Sequence, residues 1–192
     1  MRLIDRWVGI PLCFFASFWP LKKAQADSNS TLATNIPPPD TIVFILIAEI
    51  GALVVAYPAI KETRKQHPKS RICFITAPAG LQTLELMGFE KEDIFLLETS
   101  SIKSLLKGIV NIRSHFKGKR VSAIVLEPFT RFSTLLSAWI GASKRIGCYR
   151  FLNEGVYLGN ILTHRLVYNP HLHMSQTYFA LAKALIEPDS AK

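Results

Sequence analysis

The chain has 192 residues, 49% of them hydrophobic, so it is long enough for one sizeable core and too short for two full domains. Its 23 lysine and arginine residues exceed the 14 acidic ones, for a formal net charge of +9. The cations are scattered at the ends of apolar segments without a zinc-finger or RNA-binding signature, so nucleic acid is not an expected partner. The 3 cysteines are an odd number, which excludes a complete disulfide framework and fits a reducing compartment.

Residues 1–24 predict a membrane-associating leader. The segment WVGIPLCFFASFWPL is almost wholly apolar and has basic residues on both sides. It contains two prolines and is short for a helix that must cross roughly 30 Å of hydrocarbon at about 1.5 Å per residue. The flanking cations favour a segment that lies in or dips into the cytoplasmic leaflet, with anionic headgroups as partners. A cleaved signal peptide ending near AQAD, a single span, and an arm folded onto the core remain open.

Residues 25–40 read QADSNSTLATNIPPPD, which is polar and then proline-rich, and predict a linker. A folded domain is expected over residues 41–187, where short apolar runs alternate with helix-length segments. This alternation predicts parallel strands with right-handed crossovers, hence an α/β fold with a Rossmann-like doubly wound sheet. Strands are predicted at 41–47, 71–76, 93–98, 121–127 and 144–149, and helices at about 51–67, 80–89, 100–116, 131–141 and 174–186.

Two loops are the expected ligand sites, because ligands of such sheets gather beyond the carboxyl ends of the strands, near the switch in strand order. The loop after the first strand, IAEIGAL, contains Glu49 and Gly51. A glycine there allows a tight turn, and the free amides of the following helix offer an anion site. The loop is neither GxGxxG nor a Walker loop, so no nicotinamide or flavin cofactor is expected. A substrate-binding turn and a packing glycine without a ligand both remain open.

The loop after the fourth strand, LEPFTRFST, contains Glu127 and Arg131. Arg131 suits a bidentate contact with a phosphate or carboxylate of a substrate. An ion pair between Arg131 and Glu127 that only holds the loop is the alternative. Phe129 is expected to shape the turn.

A third candidate region is CYRFLNEGVYLGN, where Arg150, Asn153 and Glu154 lie among aromatic residues. Rings cover the apolar faces of sugars while amides and charges meet the hydroxyls, so this composition suits sugar binding, although irregular loops are also rich in such residues.

Three histidines, His164, His171 and His173, invite a metal site because imidazole is a common ligand. No acidic or cysteine partner stands at a recognised spacing, so no metal is expected and surface histidines are the prediction.

Several segments, in a fixed order after the first strand and its glycine turn, resemble the N-terminal half of glycosyltransferase family 9: ALVVAYPAIKETRKQHPKSRICFIT, SAWIGASKRIGCYRF and HMSQTYFALAKAL. That family comprises the ADP-heptose:lipopolysaccharide heptosyltransferases and related sugar transferases. The resemblance covers about Thr41 to Ile186. It implies one half of a GT-B architecture, in which the N-terminal domain largely binds the acceptor and the C-terminal domain binds a nucleotide-sugar donor. A donor domain of about another 150 residues is then expected to be absent from the chain or supplied by another one.

The resemblance implies sugar transfer, with inversion and no obligatory metal, to a glycan or lipid-linked acceptor of lipopolysaccharide or polysaccharide synthesis at the cytoplasmic face of the inner membrane. Family members typically follow the turn glycine with an aspartate that acts as catalytic base, whereas this chain has Ala52. Glu49 is the nearest carboxylate and becomes the candidate base, with a cap or salt-bridge role as its alternative. A non-catalytic acceptor-binding or assembly module at the membrane is the alternative function, and a truncated, nonfunctional product is a third.

Overall fold

The computed structural model describes Pro11, Cys13 and Phe14, then residues 38–151 and 158–186. The predicted leader and most of the linker lie outside these residues, as do Asn153 and Glu154. Within the described ranges, no helix is both long enough and apolar enough to cross a bilayer.

The described residues contain one sheet of six strands, in which every neighbouring pair is parallel. Its strands are β1 (Thr41–Ile45), β2 (Arg71–Thr76), β3 (Ile94–Leu96), β4 (Val121–Val125), β5 (Lys144–Phe151) and β6 (His164–Tyr168). They lie in the order β3-β2-β1-β4-β5-β6. The predicted doubly wound parallel sheet is confirmed. The sequence missed β6, an edge strand beside β5 that is only partly buried and that we had assigned to a histidine-containing surface segment.

Helices connect the strands, as the alternation of segments predicted. They are α1 (Ile50–Gln66), α2 (Leu81–Leu86), α3 (Ile102–Phe116), α4 (Arg131–Trp139) and α5 (Met174–Lys183). The start of α3 is capped by Ser101, whose hydroxyl accepts a hydrogen bond of 3.1 Å from the Ser104 amide.

Two apolar layers cover the sheet. Strand β1 and the residues that follow it turn Ile42, Phe44 and Leu46 toward one layer, which contains α1, α2 and α5. Alternate residues of the same segment face the other layer, which contains α3 and α4. Because β1 and the residues after it are buried on both faces of the sheet, this segment is apolar from Ile42 onward and does not alternate with polar residues. Each fully buried aliphatic or aromatic side chain there stabilises the fold by about 1.5–3 kcal/mol.

The strand order reverses between β1 and β4, which are neighbours at the centre of the sheet. Chain segments leave these two strands in opposite directions along the sheet, so a crevice opens beyond their carboxyl ends. The two loops predicted as ligand sites therefore lie side by side.

Candidate active site

A buried carboxylate joins the two loops at the switch point. Glu127 Oε1 accepts hydrogen bonds from the amides of Ile47, at 2.8 Å, and Ala48, at 2.6 Å. Its Oε2 accepts a hydrogen bond from the hydroxyl of Ser133 in α4. Glu127 is almost completely buried. These contacts fix the loop after β1 relative to the loop after β4, so Glu127 holds the two loops that border the crevice in place. Contact between Glu127 and a substrate remains a prediction.

Glu49 stands at the other end of the loop after β1, immediately before α1. It occupies the N-cap position of that helix, but its side chain makes no capping hydrogen bond. The residue is exposed. The capping role considered from the sequence is therefore not realised, and the carboxylate faces solvent beyond the carboxyl ends of the central strands.

Gly51, in the first turn of α1, has open space around it. A Cβ atom built on this glycine would meet no heavy atom within 4 Å. The packing role considered for Gly51 is thus not found, because no neighbouring group requires the absence of a side chain. Ala52, the position of the family's aspartate, instead packs partly buried against the core cluster that contains α1. The first turn of α1 is therefore open to an approaching molecule on the Gly51 side.

An aromatic pair borders the same edge of the sheet. The rings of Phe129 and Tyr168 meet edge to face, with centroids 5.6 Å apart and planes at 83°. Phe129 has a φ of 61°, a left-handed conformation that is strained for an aromatic residue. The prediction that Phe129 shapes the turn agrees with this conformation. Strain of this kind concentrates at functional sites, and partly exposed rings suit contact with a sugar face.

Tyr178, in α5, belongs to this region and was missed from the sequence. Burial raises the pKa of its phenol to about 12, and the charge of Glu49 is the next largest cause, with Glu127 contributing as well. The phenol therefore lies within electrostatic range of both carboxylates and stays protonated at neutral pH. Its position in an apolar helical stripe makes it look like a core residue in the sequence, and it is indeed almost fully buried.

Two arginines predicted from the sequence occupy different positions. Arg131 is the first residue of α4, directly beyond the loop after β4, and is nearly buried. Arg150 is exposed near the carboxyl end of β5, opposite Val167 of β6 in the strand register. Both therefore lie at the edge of the sheet that carries the crevice. Their contacts with a substrate remain predictions, as do those of Asn153 and Glu154, which lie outside the described residues.

The three histidines do not converge. His164 is buried in β6, with its Nδ1 2.9 Å from the Thr163 hydroxyl, so its assignment to the surface was wrong. His171 and His173 are exposed, and His173 Nδ1 accepts a 3.3 Å hydrogen bond from the Ser175 amide at the start of α5. Across the described ranges, no cluster of histidine, cysteine and acidic side chains could hold a metal ion.

A groove of about 370 Å³ lies at the opposite, amino edge of the sheet. Its lining includes Arg71 and Asp93, which form an ion pair at 2.5 Å, and His67. Burial, followed by the charge of Lys144, lowers the pKa of His67. The groove lies outside the switch crevice and its charges are mixed and partly paired. We therefore assign the candidate active site to the carboxyl edge.

Solved structures that share this fold include Escherichia coli heptosyltransferase WaaC with ADP, with a TM-score of 0.58 and 10% identity over 79% of this chain and 49% of that one. The same enzyme with ADP-2-deoxy-2-fluoro heptose gives a TM-score of 0.59 and 10% identity, over 79% of this chain and 50% of that one. The glycosyl transferase family 9 protein from Veillonella parvula DSM 2008 gives a TM-score of 0.58 and 18% identity, over 76% of this chain and 41% of that one. No family model and no curated protein matches the sequence.

At sequence identities of 10–18%, structural similarity to these proteins establishes the fold of this chain and nothing further. The chain spans about half the length of the solved structures that it matches. The resemblance predicted from the sequence is thus confirmed for the architecture: this chain has the Rossmann-like fold of about half of a heptosyltransferase-like, family 9 glycosyltransferase.

Proposed function

We propose that this chain is the acceptor-binding part of a glycosyltransferase, which moves a sugar from a nucleotide-sugar donor to a glycan or lipid-linked acceptor of the cell envelope. The observation that carries the proposal is the exposed carboxylate of Glu49, which lies at the switch crevice and is not used to cap its helix. The ADP and ADP-2-deoxy-2-fluoro heptose bound in the heptosyltransferase structures support a nucleotide-sugar donor. The acceptor-side assignment rests on the resemblance of the segments quoted above.

In this proposal Glu49 acts as a general base. Its carboxylate accepts the proton of an acceptor hydroxyl while that oxygen attacks the anomeric carbon of the donor sugar. The bond between the anomeric carbon and the diphosphate oxygen breaks, and the nucleoside diphosphate leaves with the electron pair. Attack opposite the leaving group inverts the anomeric carbon. A further domain or a second chain supplies the donor site.

The neighbouring residues then have distinct roles in holding the acceptor. Gly51 leaves room for the acceptor beside the first turn of α1. The ring pair of Phe129 and Tyr168 covers an apolar sugar face. Arg131 and Arg150 hold phosphate or carboxylate groups of the acceptor. Asn153 and Glu154 contact its hydroxyls, and Glu127 keeps the two loops in register.

The leader, which we expect to lie on the anionic cytoplasmic face of the inner membrane, keeps the protein near a lipid-linked acceptor. Cleavage as a signal peptide and a single membrane span are its alternatives. Labelling of lysines from either side of sealed membrane vesicles separates a cytoplasmic domain from an exported one, because a cytoplasmic protein is protected in right-side-out vesicles.

The test is Glu49→Gln, which removes the base while keeping the size of the side chain. We expect transfer from ADP-heptose to heptose-less lipopolysaccharide, with a donor-binding half supplied, to slow by about 10²–10⁴-fold in kcat. Binding of the lipopolysaccharide, measured by titration, should hardly change. Glu98→Gln is the matched control, since Glu98 is also exposed but lies after β3, away from the central strands. An unchanged kcat in Glu49→Gln would assign the base to another group.

A second candidate is a non-catalytic acceptor-binding or assembly module. The observation that favours it is Ala52, whose side chain cannot take a proton and packs toward the core. This function predicts that the wild-type chain binds lipid-linked glycans tightly, yet supports no transfer with any nucleotide sugar when a donor-binding half is present. Measurable transfer would exclude it.

A further inference from the structure

The outward face of α3 combines cations with exposed aliphatic side chains. Lys103, Leu106, Lys107 and Val110 follow one another at intervals that place them on one side of the helix, and all are exposed. Lys117, directly after α3, continues the same side. The opposite side of α3 packs its own apolar residues into the core, so the exposed aliphatic residues have no role in that packing.

The exposed aliphatic side chains are unusually open to solvent. Ile102, Leu106 and Val110 have exposed fractions of 77%, 48% and 63%. Trp139, at the end of α4, is 48% exposed and lies beside α3, where Arg113 Nη1 donates a hydrogen bond of 2.5 Å to its carbonyl oxygen. We define the α3–α4 face by its apolar and cationic residues: Ile102, Leu106, Val110, Trp139, Lys103, Lys107, Arg113 and Lys117. This face exposes apolar groups next to cations.

Acidic residues are absent from both helices, each of which the structure describes in full. Two acidic residues near the C-terminal end of α3 are engaged elsewhere: Asp93 pairs with Arg71 at 2.5 Å, and Asp40 pairs with Arg120 at 2.7 Å. Glu98, in the loop before α3, is the nearest acidic residue preceding the helix in the chain. The α3–α4 face thus has a positive potential that its own residues do not neutralise.

We propose that the α3–α4 face docks on a bilayer that contains anionic phospholipid. Exposed aliphatic side chains enter the boundary between headgroups and acyl chains, an exposed tryptophan lies at that level, and lysines meet anionic headgroups. This goes beyond the proposed function, which assigns membrane contact to the leader, because it gives the folded domain a membrane surface of its own.

Lipid fits this face better than nucleic acid does. Phosphates of a nucleic acid would neutralise the lysines but leave Ile102, Leu106 and Val110 in water. A bilayer surface satisfies both parts of the face, because it offers apolar acyl chains directly below its charged headgroups. Charge complementarity and aliphatic exposure therefore point to the same occupant.

Trp139 provides a local reporter. The chain has 3 tryptophans, at positions 7, 19 and 139. In the 192-residue chain carrying Trp7→Phe and Trp19→Phe, Trp139 is the only indole. We expect vesicles of phosphatidylglycerol and phosphatidylcholine in equal parts, with bromine near the headgroup end of the acyl chains, to quench its fluorescence. Quenching reports contact at this face even when the leader also holds the protein on the vesicle.

Lys103→Gln with Lys107→Gln, in that background, should lower the ratio of quenched to unquenched Trp139 by about 25-fold, a factor of about five for each lysine near the surface. Lys61→Gln with Lys65→Gln is the matched control: it makes the same change in net charge on α1, which covers the other face of the sheet, and should leave quenching unchanged.

Three outcomes would overturn the proposal. The first is unquenched Trp139 on protein that sediments with the anionic vesicles. The second is equal quenching by vesicles of pure phosphatidylcholine or by the two pairs of lysine variants. The third is a Trp139 response to heparin or to protein concentration in place of vesicles, which would assign the face to a polyanion or to a second copy of this chain.

Discussion

The two edges of the sheet both hold a buried charged residue, but the carboxyl edge also presents an exposed one that no capping contact uses. At the amino edge, Arg71 and Asp93 form an ion pair, and Arg145 is buried with its guanidinium donating to main-chain carbonyls at Ile161 and Ala142, both at 2.5 Å. At the carboxyl edge, Glu127 is buried and holds two loops, whereas Glu49 is exposed and makes no capping hydrogen bond.

This difference separates charges that build the fold from charges that remain accessible. A buried ionic group costs free energy unless its hydrogen bonds are made, so Arg145 and Glu127 are tied into the structure. Glu49 has no such constraint, and it lies where a parallel sheet collects ligands. The comparison therefore supports a structural role for the amino edge and a chemical role for the carboxyl edge. The following experiments test it.

The largest loss of stability is expected at the amino edge, from Arg145→Met. This change leaves the carbonyls of Ile161 and Ala142 without the guanidinium that donates to them. We expect the free energy of unfolding, measured with urea, to fall by about 4 kcal/mol. Arg113→Met is the control, because that exposed arginine also donates to a carbonyl and should cost less than about 1 kcal/mol. Equal losses in the two variants would remove the contrast between buried and exposed arginines.

At the carboxyl edge, Glu127→Ala should lower the free energy of unfolding by about 3 kcal/mol, because the amides of Ile47 and Ala48 lose their acceptor. Glu127→Gln should cost less, since an amide oxygen can still accept. Acceptor binding should weaken in the alanine variant as the loop after β1 shifts. A variant that keeps its stability but loses acceptor binding would instead favour direct contact between Glu127 and the substrate, which the sequence suggested.

Gly51→Ala is expected to act in opposite directions on stability and binding. The alanine should stabilise the protein by about 0.5 kcal/mol, because the helix gains propensity and the new methyl group meets open space. Titration with heptose-less lipopolysaccharide should show weaker binding if the acceptor occupies that space. Gly80→Ala is the control: its Cβ would lie 2.5 Å from Thr76 Oγ1, so it should destabilise the fold. Unchanged binding in Gly51→Ala would remove this glycine from the site.

The smallest effect concerns the exposed pair of Asp40 and Arg120. Hydrogen bonds from Arg120 lower the pKa of Asp40 in the folded state below its ordinary value of 3.8. The folded protein then binds fewer protons than the unfolded chain as the pH falls through this range, so the stabilisation is present above pH 3.8 and is lost below it. Unfolding midpoints of the wild type and Arg120→Met should differ slightly at neutral pH and converge in acid. Lys119→Met removes a neighbouring cation but keeps the pair, so a similar convergence there would point to a general charge effect.

Much of the architecture could be predicted because its signals are local. The apolar run at β1 and the helix α3 were assigned from adjacent residues, and the structure confirms both. The strand at β6 was missed because an edge strand beside loop-forming residues lacks a strong apolar run. The surface assignment of His164 was wrong as well, because the residue belongs to this missed strand and is buried there.

The site was only partly predictable. Glu49, Glu127 and Arg131 were singled out because they follow the first and fourth strands, and the structure brings those two loops together. The contacts of Glu127 with residues about eighty positions away were not visible in the sequence. Neither were the left-handed conformation of Phe129 and the effect of the Glu49 charge on the pKa of Tyr178.

By itself, the sequence determined the alternation of strands and helices and the presence of a carboxylate and a glycine after the first strand. These features follow from residue spacing and conformational preference over a few neighbours. Tertiary structure alone decided that β1 and β4 are adjacent, that Glu127 binds the loop amides while Glu49 stays exposed, and that α3 leaves apolar and cationic groups uncovered. The physical reason is that burial and hydrogen-bond partners depend on strand order and packing, which join residues far apart in the chain.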